Sequence, residues 1–79
     1  MRATVHVFLK SGVLDVQGKA VEQALHGLGW TGVDHVRVGR TIEFDIAGDD
    51  RAAAEAEVKA MCEKLLANTV IESYRVEVA

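Results

Sequence analysis

Five groups of residues in this 79-residue chain have side chains or spacings that could do chemistry. Gly27-Leu-Gly-Trp-Thr-Gly32 spells G-x-G-x-x-G, the string that cradles a dinucleotide pyrophosphate when it follows a strand and opens a helix. Here the glycines follow a helical pattern and lead towards a strand-like one, so they read as a helix stop and turn, with Trp30 packing on a sheet edge or a neighbouring subunit. His6, His26 and His35 fall on separate elements, with no ligand spacing and no companion cysteine pair for a metal. Cys62 sits in a helix interior with no electropositive neighbour in sequence to lower its thiol pKa, which marks packing rather than nucleophilic attack. Glu43 and Asp45 share a strand face at the spacing of any solvated strand, so paired acid-base work has no support. Arg37 and Arg40 are the remaining pair, forks that suit a phosphate or an acidic protein surface.

These residues must be held by a small number of elements. Ala3, Val5, Val7 and Leu9 alternate with Arg2, Thr4, His6, Phe8 and Lys10, which predicts a strand with one core face. Asp15 can cap a helix whose apolar positions are Ala20, Val21, Ala24, Leu25 and Leu28, with Gly29 placed to end it. Val33 to Val38 and Ile42 to Ile46 alternate again around Gly39-Arg40, predicting a central hairpin. After Gly48-Asp-Asp, Asp49 or Asp50 can cap a second helix carrying Ala54, Val58, Met61, Cys62, Leu65 and Leu66. Glu55 and Lys59 form an i,i+4 pair, Asn68 suits a left-handed helix end, and Tyr74, Val76 and Val78 alternate in a last strand. The order is β-α-β-β-α-β. The expected class is α+β: a four-stranded, mainly antiparallel sheet with two helices on one face, ferredoxin-like, in a single domain over residues 1–79. Phe8, Val33 and Ile71 are the apolar groups expected on the uncovered sheet face or its margin, where a second copy could sit.

Composition narrows the function. An apolar fraction of 49% predicts a folded chain, and nine Lys and Arg against twelve Asp and Glu give a net charge of -3, which offers no general field for a nucleic-acid backbone. No apolar run approaches the roughly 20 residues that span a bilayer. A single Cys62 and a strand-like start predict a cytoplasmic, unprocessed protein. A chain of this size buries only about 60% of its unfolded surface, and with no internal disulfide available, self-association is the expected supplement.

The two richest connectors are Lys10-Ser-Gly-Val-Leu-Asp-Val-Gln-Gly18 and Lys64-Leu-Leu-Ala-Asn-Thr-Val-Ile-Glu-Ser-Tyr74. The first carries Val13 and Leu14 where Gly, Ser and Asp alone would make the turn. Together with Gly18-Lys-Ala-Val-Glu, Ala24-Leu-His, Val36-Arg-Val-Gly-Arg and Met61-Cys-Glu-Lys, they resemble, along the whole chain, the PurS family, the small subunit of bacterial phosphoribosylformylglycinamidine (FGAM) synthase. The resemblance implies a non-catalytic subunit of an ATP- and glutamine-dependent ligase in the fourth step of de novo purine synthesis. It implies partners: a PurL-like synthetase subunit, a PurQ-like glutaminase subunit, and the chain itself as a dimer or tetramer. The small subunit would bridge the other two and aid ammonia transfer. ATP with magnesium, and glutamine, would be used by those partners, with no cofactor, metal or catalytic residue on this chain. The residues expected to meet partners are Lys10, Val13, Leu14, Asp15, Gln17, Arg37, Arg40, Asn68 and Tyr74. The other functional reading is a regulatory module that binds a small ligand as a homo-oligomer, resting on fold analogy alone. RNA binding on the open sheet fits poorly, because the aromatics are few and the charge is negative. Val16 and Thr69 stand where many proteins of the family carry proline, and restoring it is expected to raise the melting temperature.

Overall fold

A computed structural model describes residues 1–79. The elements run β1 (Arg2–Leu9), α1 (Val16–Gly27), β2 (Arg40–Asp45), α2 (Arg51–Met61) with a π-helical extension (Cys62–Leu66), and β3 (Glu72–Val78). The sheet has three strands in the order β2-β1-β3, antiparallel throughout, with Val5 opposite both Ile42 and Val76. The class is α+β, but the expected fourth strand and the β-α-β-β-α-β order are not found.

The missing strand has a physical cause. Residues 33–39 carry the alternation of a strand, yet two of their backbone donors go to carboxylates: Val36 N–H to Glu22 Oε1 at 3.3 Å and Val38 N–H to Asp15 Oδ2 at 2.8 Å. A segment whose donors are taken by side chains has no ladder to offer a neighbouring strand. Gly39-Arg40 is therefore the entry to β2 rather than a hairpin tip.

The core is thin, as chain length dictates. Ala3, Val5 and Val7 on one face of β1 meet Val58 of α2 and Cys62 of its extension, all at most 1% exposed, with Ala67 beside them. Ile42 and Phe44 of β2, and Ile46 just beyond it, border this cluster and are half-buried. The opposite sheet face is polar: Arg2 pairs with Glu43 and Asp45, and His6 and Arg75 both lie against Glu77. Only Phe8 brings substantial apolar surface there, while Val33 lies in the segment before β2 and Ile71 at the sheet margin. That face is not the expected apolar seat for a second copy.

Helix α1 departs most from expectation. Asp15 caps it through Gly18 N–H at 2.8 Å. It ends in a Schellman motif, with Gly29 at φ 107° and Trp30 N–H donating to the Leu25 carbonyl. Its apolar stripe does not pack on the sheet. Ala20, Val21, Ala24 and Leu28 are exposed, Leu25 is half-buried, and Trp30 is exposed as well. Only α2 and its extension cover the core face, so two helices on one face is corrected to one. The molecule is accordingly long, 48 × 24 × 14 Å, with a radius of gyration of 15.8 Å against about 12 Å for a compact chain of this length.

Asp50 caps α2 through Ala52 and Ala53 N–H. Beyond Met61 the helix widens, with Ala67 N–H donating to the Cys62 carbonyl five residues back. The wider turn shifts the register, so Leu65, expected in the apolar stripe, points outward at 82% exposure, and Met61 is exposed too. Asn68 is not left-handed. It opens a turn instead, accepting Val70 N–H on Oδ1 and Ile71 N–H on its carbonyl. Thr69 is then the second residue of a four-residue turn, and Val16 is the first residue of α1, both of which favour proline. Val16→Pro and Thr69→Pro are each expected to raise the melting temperature by the equivalent of roughly 0.4 to 1 kcal/mol. A fall for either in a thermal melt would mean that the backbone at that position does not accept the proline angle.

Candidate functional site at the connector end

The two connectors meet at one end of the sheet. Lys10 N–H donates to the Ile71 carbonyl at 2.8 Å, joining the exit of β1 to the entry of β3, and Val13 N–H closes back on the Lys10 carbonyl. The segment 33–39 crosses beside them. This end gathers all nine residues expected at partner contacts except Tyr74, which lies further along β3.

Asp15 is the centre of a clasp. One carboxylate oxygen caps α1, and the other accepts Val38 N–H and faces Arg37 Nε at 3.5 Å. Arg37 also donates to the carbonyls of Leu9 and Lys10, so its fork is spent on the connector rather than offered to a partner. Seven residues along the same helix face, Glu22 accepts Val36 N–H and pairs with Lys19 at 3.3 Å. Gly18 lies between them, so close to the Val36 carbonyl that a side chain there would overlap the oxygen.

A second network closes the other connector. Arg40 forks onto Glu72 at 2.6 and 3.2 Å and reaches the Leu66 carbonyl at 2.6 Å. Glu72 also accepts Asn68 N–H at 2.7 Å. Tyr74 donates its hydroxyl to Glu63 at 3.1 Å, which fastens β3 to the π-helical extension.

The charges are tuned for these internal roles. The Val38 N–H, then that of Gly18, with the Arg37 charge behind them, holds the Asp15 carboxyl below its ordinary range. The Val36 N–H, aided by Lys19, does the same for Glu22, and the Arg40 fork followed by Asn68 N–H for Glu72. Burial pushes the Cys62 thiol up, away from thiolate chemistry. Carboxylates with lowered folded-state pKa values stabilise the protein above their unfolded pKa values, about 4, and that contribution is lost as pH falls through the folded values. The melting temperature is expected to hold from pH 7 to 5 and fall below about 4. Asp15→Asn and Glu22→Gln should lower it at neutral pH and flatten the acid slope, and an unchanged slope in both would show that the clasp carries none of the effect.

With Asp15, Glu22, Arg37, Arg40 and Glu72 bonded within the chain, the surface left to a partner is largely apolar. Leu14, Val16, Leu65 and Val70 are between 69% and 82% exposed, flanked by Lys10 and Gln17, which are exposed, and Val13, which is half-buried. Sequence reasoning identified Leu14 and Val13 but passed over Val16, Leu65 and Val70. Nothing local marks Leu65 as exposed, whereas Val70 beside an Asn-Thr turn signal was readable. An open cleft of about 510 Å³ lies alongside, lined in part by Asp15, Lys19, Glu22, His35 and Arg37.

The sequence matches, over residues 2–79, the family described as PurS, phosphoribosylformylglycinamidine (FGAM) synthase. The chain belongs to the PurS family. A Bacillus subtilis protein named phosphoribosylformylglycinamidine synthase subunit PurS is 52% identical over 77 residues, covering 98% of this chain and 90% of the relative. A protein of the same name from Methanocaldococcus jannaschii is 39% identical, covering 98% of this chain and 93% of the relative. Among solved structures, Bacillus subtilis PurS superposes with a TM-score of 0.87 at 51% identity, over 99% of this chain and 96% of that one. A chain from the structure of PurLQS from Thermotoga maritima superposes equally well, 0.87 at 30% identity, over 96% and 93%. The three-stranded sheet and projecting α1 thus lie within a fold that solved family structures share along nearly their whole length. No helix in the chain is long and apolar enough to cross a membrane.

Proposed function

We propose that the chain is the non-catalytic small subunit of a cytoplasmic phosphoribosylformylglycinamidine synthase, bridging a glutaminase subunit and a synthetase subunit and aiding the passage of ammonia between them. The observation that carries this reading is the division of labour at the connector end: Asp15, Glu22, Arg37, Arg40 and Glu72 are bonded within the chain, while Leu14, Val16, Leu65 and Val70 stand exposed together. Bond-making sites need poised titratable groups, and docking surfaces need apolar anchors rimmed by polar residues. ATP with magnesium, and glutamine, belong to the partner subunits in this scheme. The subunit contributes by holding two active sites in register, which lowers the entropic cost of transferring a small diffusible intermediate. The Thermotoga maritima neighbour in PurLQS supports assembly of this kind. A ligand-binding regulatory role is weaker, because each carboxylate and cation lining the open cleft that could grip a ligand already has an internal partner.

The test is glutamine-dependent formation of formylglycinamidine ribonucleotide by the cognate synthetase and glutaminase subunits, with and without this chain, beside an ammonia-supported control. Loss of the glutamine-supported rate alone when the chain is omitted supports bridging. Rates that ignore the chain in both assays overturn it.

A further inference from the structure

We propose that Asn68 is a positioning residue for docking: it holds the loop between the π-helical extension and β3 in its docking form before a partner arrives, so that Val70 is presented without further ordering. The inference rests on the connector end being the docking surface, and it names the residue that prepares that surface.

The loop covers residues 67–71 and carries two apolar groups at its tip, Val70 at 81% exposure and Ile71 at 39%. Apolar side chains on a slack loop turn away from water. Here bonds hold them out. Asn68 accepts three backbone N–H groups: that of Val70 on Oδ1 at 3.2 Å, and those of Ile71 and Glu72 on its carbonyl at 3.1 and 2.7 Å. Its own N–H donates to Glu72 Oε1 at 2.7 Å, and Glu72 is fixed in turn by the Arg40 fork, which also reaches the Leu66 carbonyl at the other end of the loop. Ala67 N–H closes on the Cys62 carbonyl. Within the loop only Thr69 keeps a free backbone N–H.

A helix-to-strand joint needs a turn, and the two bonds to the Asn68 carbonyl already make one. The bond to Asn68 Oδ1 serves a narrower purpose, since it fixes the backbone of Val70 itself. Ordering one backbone residue on binding costs roughly five- to thirtyfold in affinity, and a loop ordered beforehand is spared that loss. The β-branched side chain of Val70 is stiff about χ1, so little further freedom is lost when it is buried. Leu65, the other exposed anchor on this side, stands on the π-helical turn and has its backbone fixed in the same way.

The experiment titrates the chain into its cognate synthetase and glutaminase subunits. It reads the subunit concentration that gives half the maximal glutamine-supported rate, the rate at saturation, and the backbone order parameter of Val70 in the isolated chain by NMR relaxation. Asn68→Ala is expected to raise the half-saturating concentration about tenfold, to leave the saturating rate unchanged, and to lower the order parameter from about 0.85 to below about 0.6. Combining Asn68→Ala with Thr69→Pro should recover most of the affinity, because proline presets the turn at the one loop position whose N–H is free. A fall in melting temperature and saturating rate together, with no shift in half-saturation, would show a merely structural role and overturns the proposal. An unchanged order parameter in Asn68→Ala overturns it as well, as does a loosened Val70 with unchanged half-saturation. Order recovered by the proline without recovered affinity would mean that Asn68 meets the partner itself, which also overturns it. Leu65→Asp combined with Val70→Asp tells these failures from failure of the docking reading: if that variant docks poorly, the surface stands and only the prior ordering falls, and if it docks normally, both fall.

Discussion

Gly18→Ala is expected to destabilise the protein by about 2 kcal/mol or more, although alanine in a helix ordinarily improves on glycine by about 1 kcal/mol. The reversal comes from packing. A Cβ at position 18 would overlap the Val36 carbonyl oxygen, and its next neighbours are the carboxylate atoms of Asp15. A flexible side chain could yield, but the first obstacle is backbone. Moving it away stretches the bonds that Val36 and Val38 donate to Glu22 and Asp15, and overpacking of this kind typically costs about 1 to 3 kcal/mol even before such bonds are lost. Chemical denaturation read by circular dichroism measures the change, with Gly27→Ala as the control, because that position has open space around it. A stabilised Gly18→Ala variant would mean that the clasp is looser than its geometry.

The contrast between these two glycines illustrates what was legible in the sequence. Strand β1, the cap at Asp15, the stop at Gly29, helix α2 up to Val58 and the alternation of β3 could all be read, because each is set by neighbours within a few residues. Residues 33–38 misled, since an extended segment alternates whether its donors face a strand or a pair of carboxylates. The acceptors, Asp15 and Glu22, lie 23 and 14 residues away. Helix α1 misled in another way: periodicity tells which face is apolar and not whose core that face enters. Leu65 was lost to one wide turn beyond Met61. At the site, the connectors were singled out for their excess of apolar residues, and Leu14 is exposed there. Asp15, Arg37, Arg40 and Asn68 were also expected at partners, and each is bonded within the chain, a pairing that leaves little trace in local spacing.

That distinction sets the second large effect, at the exposed half of the connector end. Leu65→Asp combined with Val70→Asp is expected to depress glutamine-supported turnover by the assembled synthase at least about tenfold while leaving the ammonia-supported rate close to its original value. Truncating a buried anchor typically weakens association by about 2 kcal/mol, roughly thirtyfold, and a carboxylate placed in an apolar contact adds a desolvation cost. Neither side chain belongs to the core, and both are more than four-fifths exposed, so the isolated subunit should keep its stability and its mass in sedimentation. The comparison with Arg40→Ala separates docking from architecture: that change removes the forks to Glu72 and Leu66, so it should lower the melting temperature first and turnover only as a consequence. Raising the concentration of the doubly substituted subunit should restore much of the glutamine-supported rate, since the defect is one of affinity. If turnover is unaffected at limiting subunit concentration, the Leu65 and Val70 side of the connector end is not where a partner docks, and Leu14 and Val16, across the same end of the sheet, become the surface to substitute next.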